Sequence, residues 1–205
     1  MDQTSRSRVL FVNACVRSES RTRQLAEAVL ARITDDYEEI RLENAEFPVT
    51  DEAFLKKRDS LIEGKDFNDR TFAMARQFAA AETIVIAAPY WDLSFPASLK
   101  QYIEHINVSG VTFEYTPEGI PRGLCRADKL YYCMTSGGDY VPEEFGFGYI
   151  KALAENYYGI RDVELIKAMG LDIYGADTAA IMDRAIEEIY AEKLRDVKGP
   201  AIKGV

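Results

Sequence analysis

Five short strand-like runs, separated by helix-like segments, constrain this 205-residue sequence more than any other feature, because charge falls in only two of them. Residues 9–12 (VLFV), 84–88 (IVIAA) and 130–134 (LYYCM) are uncharged throughout. Residues 38–42 (EEIRL) and 163–169 (VELIKAM) carry Glu38, Glu39 and Arg41, and Glu164 and Lys167. Alternation of strands with helices implies a parallel sheet covered on both faces. Central strands of such a sheet read as continuous apolar runs, whereas charges mark its edges. Placing the second and fifth runs at the edges gives the strand order 2-1-3-4-5.

That order is the flavodoxin-like one: an α/β, three-layer fold around a five-stranded parallel sheet. The competing dinucleotide-binding arrangement would need a glycine-rich turn after the first strand, but that loop reads NACVRSESRT, without glycine. Helical spacing supplies the outer layers. Leu25, Val29 and Ile33 mark the first helix, and residues 51–81 read as helical, with Phe67, Met74, Ala75 and Phe78 on one face. Pro96 opens a helix carrying Leu99, Tyr102, Ile103 and Ile106. Further helices are expected near 143–158 and 177–194. Forty-seven per cent hydrophobic residues suffice for one core, so residues 1–205 are expected to form one domain.

A formal net charge of −9 gives no electrostatic footprint for nucleic acid or for an anionic membrane. No apolar run approaches the roughly 18 residues of a membrane span. Cys15, Cys125 and Cys133 show no CxxC spacing, and Cys15 and Cys133, at strand ends, read as small core residues. MDQTSRSR leads directly into the first strand without the apolar stretch of a signal peptide. The cytoplasm is the expected compartment.

In a 2-1-3-4-5 sheet the chain diverges after strands one and three, which leaves a crevice at their carboxyl ends. After strand one, Arg17, Ser20, Arg21 and Thr22 run into a helix whose free amides and positive end suit a phosphate. Ser20 or Thr22 serving only as a helix cap is an equal reading. After strand three come Pro89, Tyr90, Trp91, Asp92 and Leu93, then Phe95; aromatic side chains at a strand end suit a planar ring, or pack beneath neighbouring loops. After strand four, Ser136, Gly137 and Gly138 allow close approach of backbone amides, or simply turn the chain, with Tyr140 following. A phosphate, a polar tail and a flat aromatic head together describe flavin mononucleotide (FMN).

The segments RVLFVNACVRSESRTRQLA, AAPYWDLSFPASLKQYIEHINVSGVTFEYTPEGIPRGL and TSGGDY resemble the FMN-dependent NAD(P)H:quinone oxidoreductases and NADH azoreductases of the flavodoxin-like superfamily. The resemblance implies that Ser20, Arg21 and Thr22, with Arg17 close by, hold the FMN phosphate. It implies that Tyr90, Trp91, Asp92 and Leu93 lie along the flavin, and that Ser136, Gly137, Gly138 and Tyr140 contact its pyrimidine end. Family members often have Asn where Asp92 stands, and a larger residue such as Arg before the paired glycines. A carboxylate aimed at the flavin would oppose the negative charge that builds on reduction, so Asp92 either faces away or alters potential and substrate choice.

The implied chemistry is ping-pong: NADH or NADPH gives a hydride to the flavin and leaves, and a small aromatic acceptor (quinone, azo compound or similar) takes the electrons. The flavin carries that chemistry, so no general base is required of the protein. The amides of Gly137 and Gly138 are candidates to stabilise developing charge, and Tyr140 is the candidate proton or hydrogen-bond donor to the acceptor, with loop packing as its other reading. His105, off the apolar face of its helix, reads as solvated surface. A flavodoxin-type electron carrier is the rival. Against it, Val111, Phe113 and Tyr115 alternate like a strand before a turn at Pro117-Glu118-Gly119, surface that a minimal carrier would not need. An iron–sulfur flavoprotein would need a compact cysteine cluster. The 107–127 segment and the surplus of aromatics are expected at the interface of a homodimer.

Overall fold

The computed structural model describes residues 9–196. The segment MDQTSRSR, on which the compartment expectation rests, and the chain beyond Asp196 lie outside the described residues, so the 1–205 domain boundary does as well. Five parallel strands form the main sheet: β1 (Val9–Asn13), β2 (Tyr37–Arg41), β3 (Thr83–Ala87), β6 (Lys129–Thr135) and β7 (Asp162–Ala168). Their order is β2-β1-β3-β6-β7. Because β4 (Phe113–Tyr115) and β5 (Pro121–Gly123) form a separate antiparallel hairpin, this is the 2-1-3-4-5 order expected from charge placement.

Burial follows the charges. All five residues of β1 are buried, as are all but the first residues of β3 and β6, whereas β2 and β7 are exposed or half-buried along most of their length. Side chains alternate between two cores, as a pleated strand requires. Leu10, Val12, Ile84, Ile86, Leu130 and Tyr132 face α3 (Ala73–Ala80), α4 (Ala97–Ile106) and α5 (Phe147–Leu153). Val9, Phe11, Val85, Tyr131 and Cys133 face α1 (Arg21–Ile33) and α6 (Thr178–Asp196). Cys15 and Cys133 are buried, as the sequence suggested, and burial pushes both thiols up in pKa.

One helix expected over 51–81 is two. The helix α2 (Glu52–Glu63) starts at Asp51, whose carboxylate accepts from the Phe54 amide at 2.8 Å, and stops at Gly64 and the left-handed Lys65 (φ 53°). A 3-10 turn at Arg70–Phe72, capped by Asp69 onto the Thr71 amide at 2.8 Å, then leads into α3. The break signal was the stretch GKDFND, where glycine and short polar residues offer the backbone non-helical partners.

The helix α5 ends in a π turn, Ala154–Tyr158, closed by left-handed Gly159. The β4–β5 hairpin lies against it so closely that a Cβ on Gly123 would stand 2.2 Å from the Tyr158 carbonyl carbon. Only glycine permits that approach. The hairpin turn falls at Thr116–Gly119, where the alternation of residues 111–115 ends. Phe113 points inward onto Tyr157 (centroids 4.7 Å apart) and is buried, while Tyr115 and Ile120 are exposed. No helix among the described residues is long and apolar enough to cross a membrane.

Candidate functional site

A crevice of about 160 Å³ opens at the carboxyl ends of β1, β3 and β6, where the crossovers diverge. Its first wall is the loop from β1 into α1. Buried Asn13 anchors that loop: its side-chain amide donates to Glu39 Oε1 at 2.8 Å, and its Oδ1 accepts from the Cys15 amide at 2.9 Å. Ser20 is the N-cap of α1, accepting from the Arg23 amide at 3.3 Å. The first intrahelical bond runs from the Gln24 amide to the Ser20 carbonyl, so the Arg21 and Thr22 amides precede the helical ladder at its positive end. Thr22 is buried, its hydroxyl 2.6 Å from that of Thr135 on β6. Arg17, Ser20, Arg21 and Thr22 all line the crevice. Cap and anion site are thus compatible roles here: the Ser20 hydroxyl serves the helix while amides beside it remain for a ligand.

The third loop is wired through its carbonyls. Those of Ser136, Gly137 and Gly138 accept from the amides of Leu171 (3.2 Å), Asp172 (2.9 Å) and Gly170 (3.2 Å), on the loop after β7. The Ser136 hydroxyl adds a bond to the Gly138 carbonyl at 2.7 Å. A Cβ on Gly137 would lie 2.5 Å from Asp172 Oδ2, so the close approach of the two loops depends on glycine. Asp172 also lines the crevice, and its Oδ1 pairs with Arg21 Nη2 at 3.0 Å, while Arg21 Nη1 donates to the Leu171 carbonyl at 3.3 Å. Sequence reading missed Asp172. The strand-end rule applied to three strands points to it when applied to the fifth as well, since Gly170-Leu171-Asp172 follows β7 at the same edge.

The second loop is a miniature hairpin. Trp91 and Ser94 exchange backbone bonds of 3.1 and 2.8 Å across Asp92 and Leu93, both left-handed (φ 51° and 66°). Left-handed backbone is strained for a leucine, and such strain persists only where the surroundings impose it. The Tyr90 amide donates to the Thr135 carbonyl at 3.0 Å, and its phenol to the Pro142 carbonyl at 3.3 Å. Burial, with Tyr140 and Glu144 nearby, raises the pKa of Tyr90 and keeps it a donor. Phe95 is not a free aromatic: it packs on Tyr149, centroids 5.8 Å apart.

Pro89, Tyr90 and Trp91 line the crevice with Ser136 and Gly137. Asp92, Leu93, Gly138 and Tyr140 stand off its wall, and the Tyr140 side chain is 80% exposed. The structure therefore gathers nine of the thirteen expected positions, with Asp92 outside.

The family model described as the flavodoxin-like fold matches residues 7–192. This chain belongs to the flavodoxin-like fold family. Among flavodoxin-like relatives, it is 32% identical over 197 residues to an FMN-dependent NADH:quinone oxidoreductase of Clostridium perfringens, covering 89% of this chain and 96% of that protein. It is 35% identical over 184 residues to a protein of the same name from Lachnoclostridium phytofermentans, covering 85% and 91%. The crystal structure of an azoreductase from Bacillus anthracis superposes with a TM-score of 0.79 at 25% identity, over 93% of this chain and 100% of that one. For a flavodoxin-like protein, the polar crevice fits FMN by its donor set: amides and arginines at a helix start, then a glycine-bearing loop whose carbonyls are already satisfied.

Proposed function

We propose that this chain is an FMN-dependent oxidoreductase that takes electrons from NADH and delivers two of them to a quinone, azo compound or similar small aromatic acceptor. The observation that carries the proposal is the crevice itself, since its wall joins unladdered amides at the start of α1 to the glycine loop after β6. The names of the relatives supply the reaction class. Bound FMN supplies the hydride chemistry.

The chain's residues bind and position. The Arg21 and Thr22 amides hold the phosphate, with Ser20, Arg21 and Arg17 around it. Pro89, Tyr90 and Trp91 flank the ring, with Asp92 and Leu93 forming the turn behind them. The Gly137 and Gly138 amides are the donors to the pyrimidine end, because the loop's carbonyls are committed to the loop after β7 and the Ser136 amide to the Ala168 carbonyl. Asp92 sits in the left-handed turn and does not line the crevice, which supports reading its carboxylate as facing away from the ring. Tyr140, which is exposed, is the candidate proton or hydrogen-bond donor to the acceptor.

The reading extends to one flavodoxin-like domain over residues 1–205, a cytoplasmic location, and a homodimer with the 107–127 hairpin at its interface. Free Cys15, Cys125 and Cys133 support the compartment, and exposed Tyr115 and Ile120 support the interface. Heat-released cofactor should chromatograph as FMN, and double-reciprocal plots with NADH and a quinone varied together should be parallel. Bound flavin without NADH oxidation would leave the electron-carrier reading. Light scattering should give twice the 23.1 kDa chain mass. Tyr115→Asp with Ile120→Asp should yield FMN-binding monomers of low activity. A wild-type monomer with full turnover would remove the dimer. Phe113 is unsuitable for that test because it is buried.

A further inference from the structure

A second cavity, of about 500 Å³, lies among α2, α3, α4 and the loop after β2, and it shares no lining residue with the crevice. Its volume falls within the ordinary range of small-molecule sites. His105 lines it, and here the structure overturns the sequence reading: His105 is only 9% exposed, not solvated surface. Its ring stacks nearly parallel on Phe47 (centroids 5.4 Å, planes 13° apart) and meets Phe54 edge-on at 5.5 Å. Neither imidazole nitrogen has a hydrogen-bond partner among the described residues, and neither is fully buried, so the ring can still bond to a molecule in the cavity it lines.

Cations stand around the same cavity. Lys57 is occupied by Asp69 at 3.7 Å, whereas Arg70 has no ion-pair partner among the described residues. Glu46 is the one carboxylate on the wall. On a chain of net charge −9, a recess that offers the unpaired Arg70 guanidinium beside Phe47, Phe54 and Met74 combines a positive group with a flat apolar wall.

We propose that this cavity is a second ligand site, for a small planar aromatic carboxylate. Its ring lies against the flat Phe47 surface and the adaptable Met74 side chain. Its carboxylate engages the Arg70 guanidinium, whose fork matches that group. The His105 imidazole hydrogen-bonds to the bound molecule. A phosphate dianion fits less well, because Glu46 shares the wall and the cavity's polar groups are side chains rather than an array of amides.

The chain has a single histidine, so the imidazole signals of the tag-free, FMN-loaded protein in proton NMR belong to His105 alone. Naphthalene-2-carboxylate should shift them saturably, with a dissociation constant of about 100 µM for a probe of its size. Arg70→Gln, a surface substitution, should weaken that binding about tenfold, and Met74→Trp, which fills the cavity, should abolish it. Both variants should keep their FMN. Absence of a shift at millimolar probe, undiminished binding in Arg70→Gln, or a shift that appears only as FMN is released would each overturn the proposal.

Discussion

The crevice and the His105 cavity are both concave, yet they are built from different materials. The crevice is made largely of backbone: amides at the start of α1, a glycine loop whose carbonyls are satisfied elsewhere, and a two-residue left-handed turn. The cavity is made of side chains from helices and a loop, meeting around one imidazole. Sites of the first kind depend on where the chain is led. Those of the second depend on which side chains happen to face one another. Substitutions should therefore separate the two cleanly.

The largest expected effect is Arg21→Ala. Removing charge-assisted bonds to a phosphate should weaken FMN retention by roughly tenfold to a hundredfold while leaving the His105 signals in place. Equilibrium dialysis with FMN measures the first and NMR the second. A variant that moves both would mean the regions are coupled.

Gly137→Ala sharpens the role of backbone. The new methyl meets the end of a flexible side chain, so the fold should survive, but the Asp172 carboxylate must swing away from Arg21. A loss of FMN affinity of about threefold to tenfold is expected. Unchanged affinity would show that the Asp172–Arg21 pair is not needed for binding.

Acid should affect the cavity side. Burial, aided by Arg58 and opposed by Glu104, lowers the pKa of His105. A histidine depressed in the folded state stabilises it fully above the unfolded pKa, about 6.5. That contribution is lost as pH falls through the folded value. Urea midpoints should thus decline between pH 7 and 5, and His105→Phe should flatten the decline. Identical slopes in both proteins would assign the effect to other groups.

The smallest effect concerns the turn in the aromatic loop. Leu93 is 46% exposed and left-handed, so Leu93→Gly relieves strain at little cost in burial. A gain of about 0.5–1 kcal/mol in unfolding free energy is expected. Destabilisation by this change would show that the leucine side chain, rather than the turn, holds the loop.

The sequence by itself determined the order of the strands, because charges within the body of a strand mark the edges of a parallel sheet. It also located the loops after β1, β3 and β6, because topology puts those loops at one edge whatever their side chains do. Only the tertiary structure decided that Asp172 pairs with Arg21, 151 positions away, that Asp92 leaves the crevice wall, and that His105 is covered. Helical periodicity places His105 off the line of Leu99, Tyr102 and Ile106, and it says nothing about Phe47 and Phe54 closing over it. Local pattern records which residues share a face of one element. What covers that face is settled by contacts between distant segments, and these leave no periodic trace in the chain.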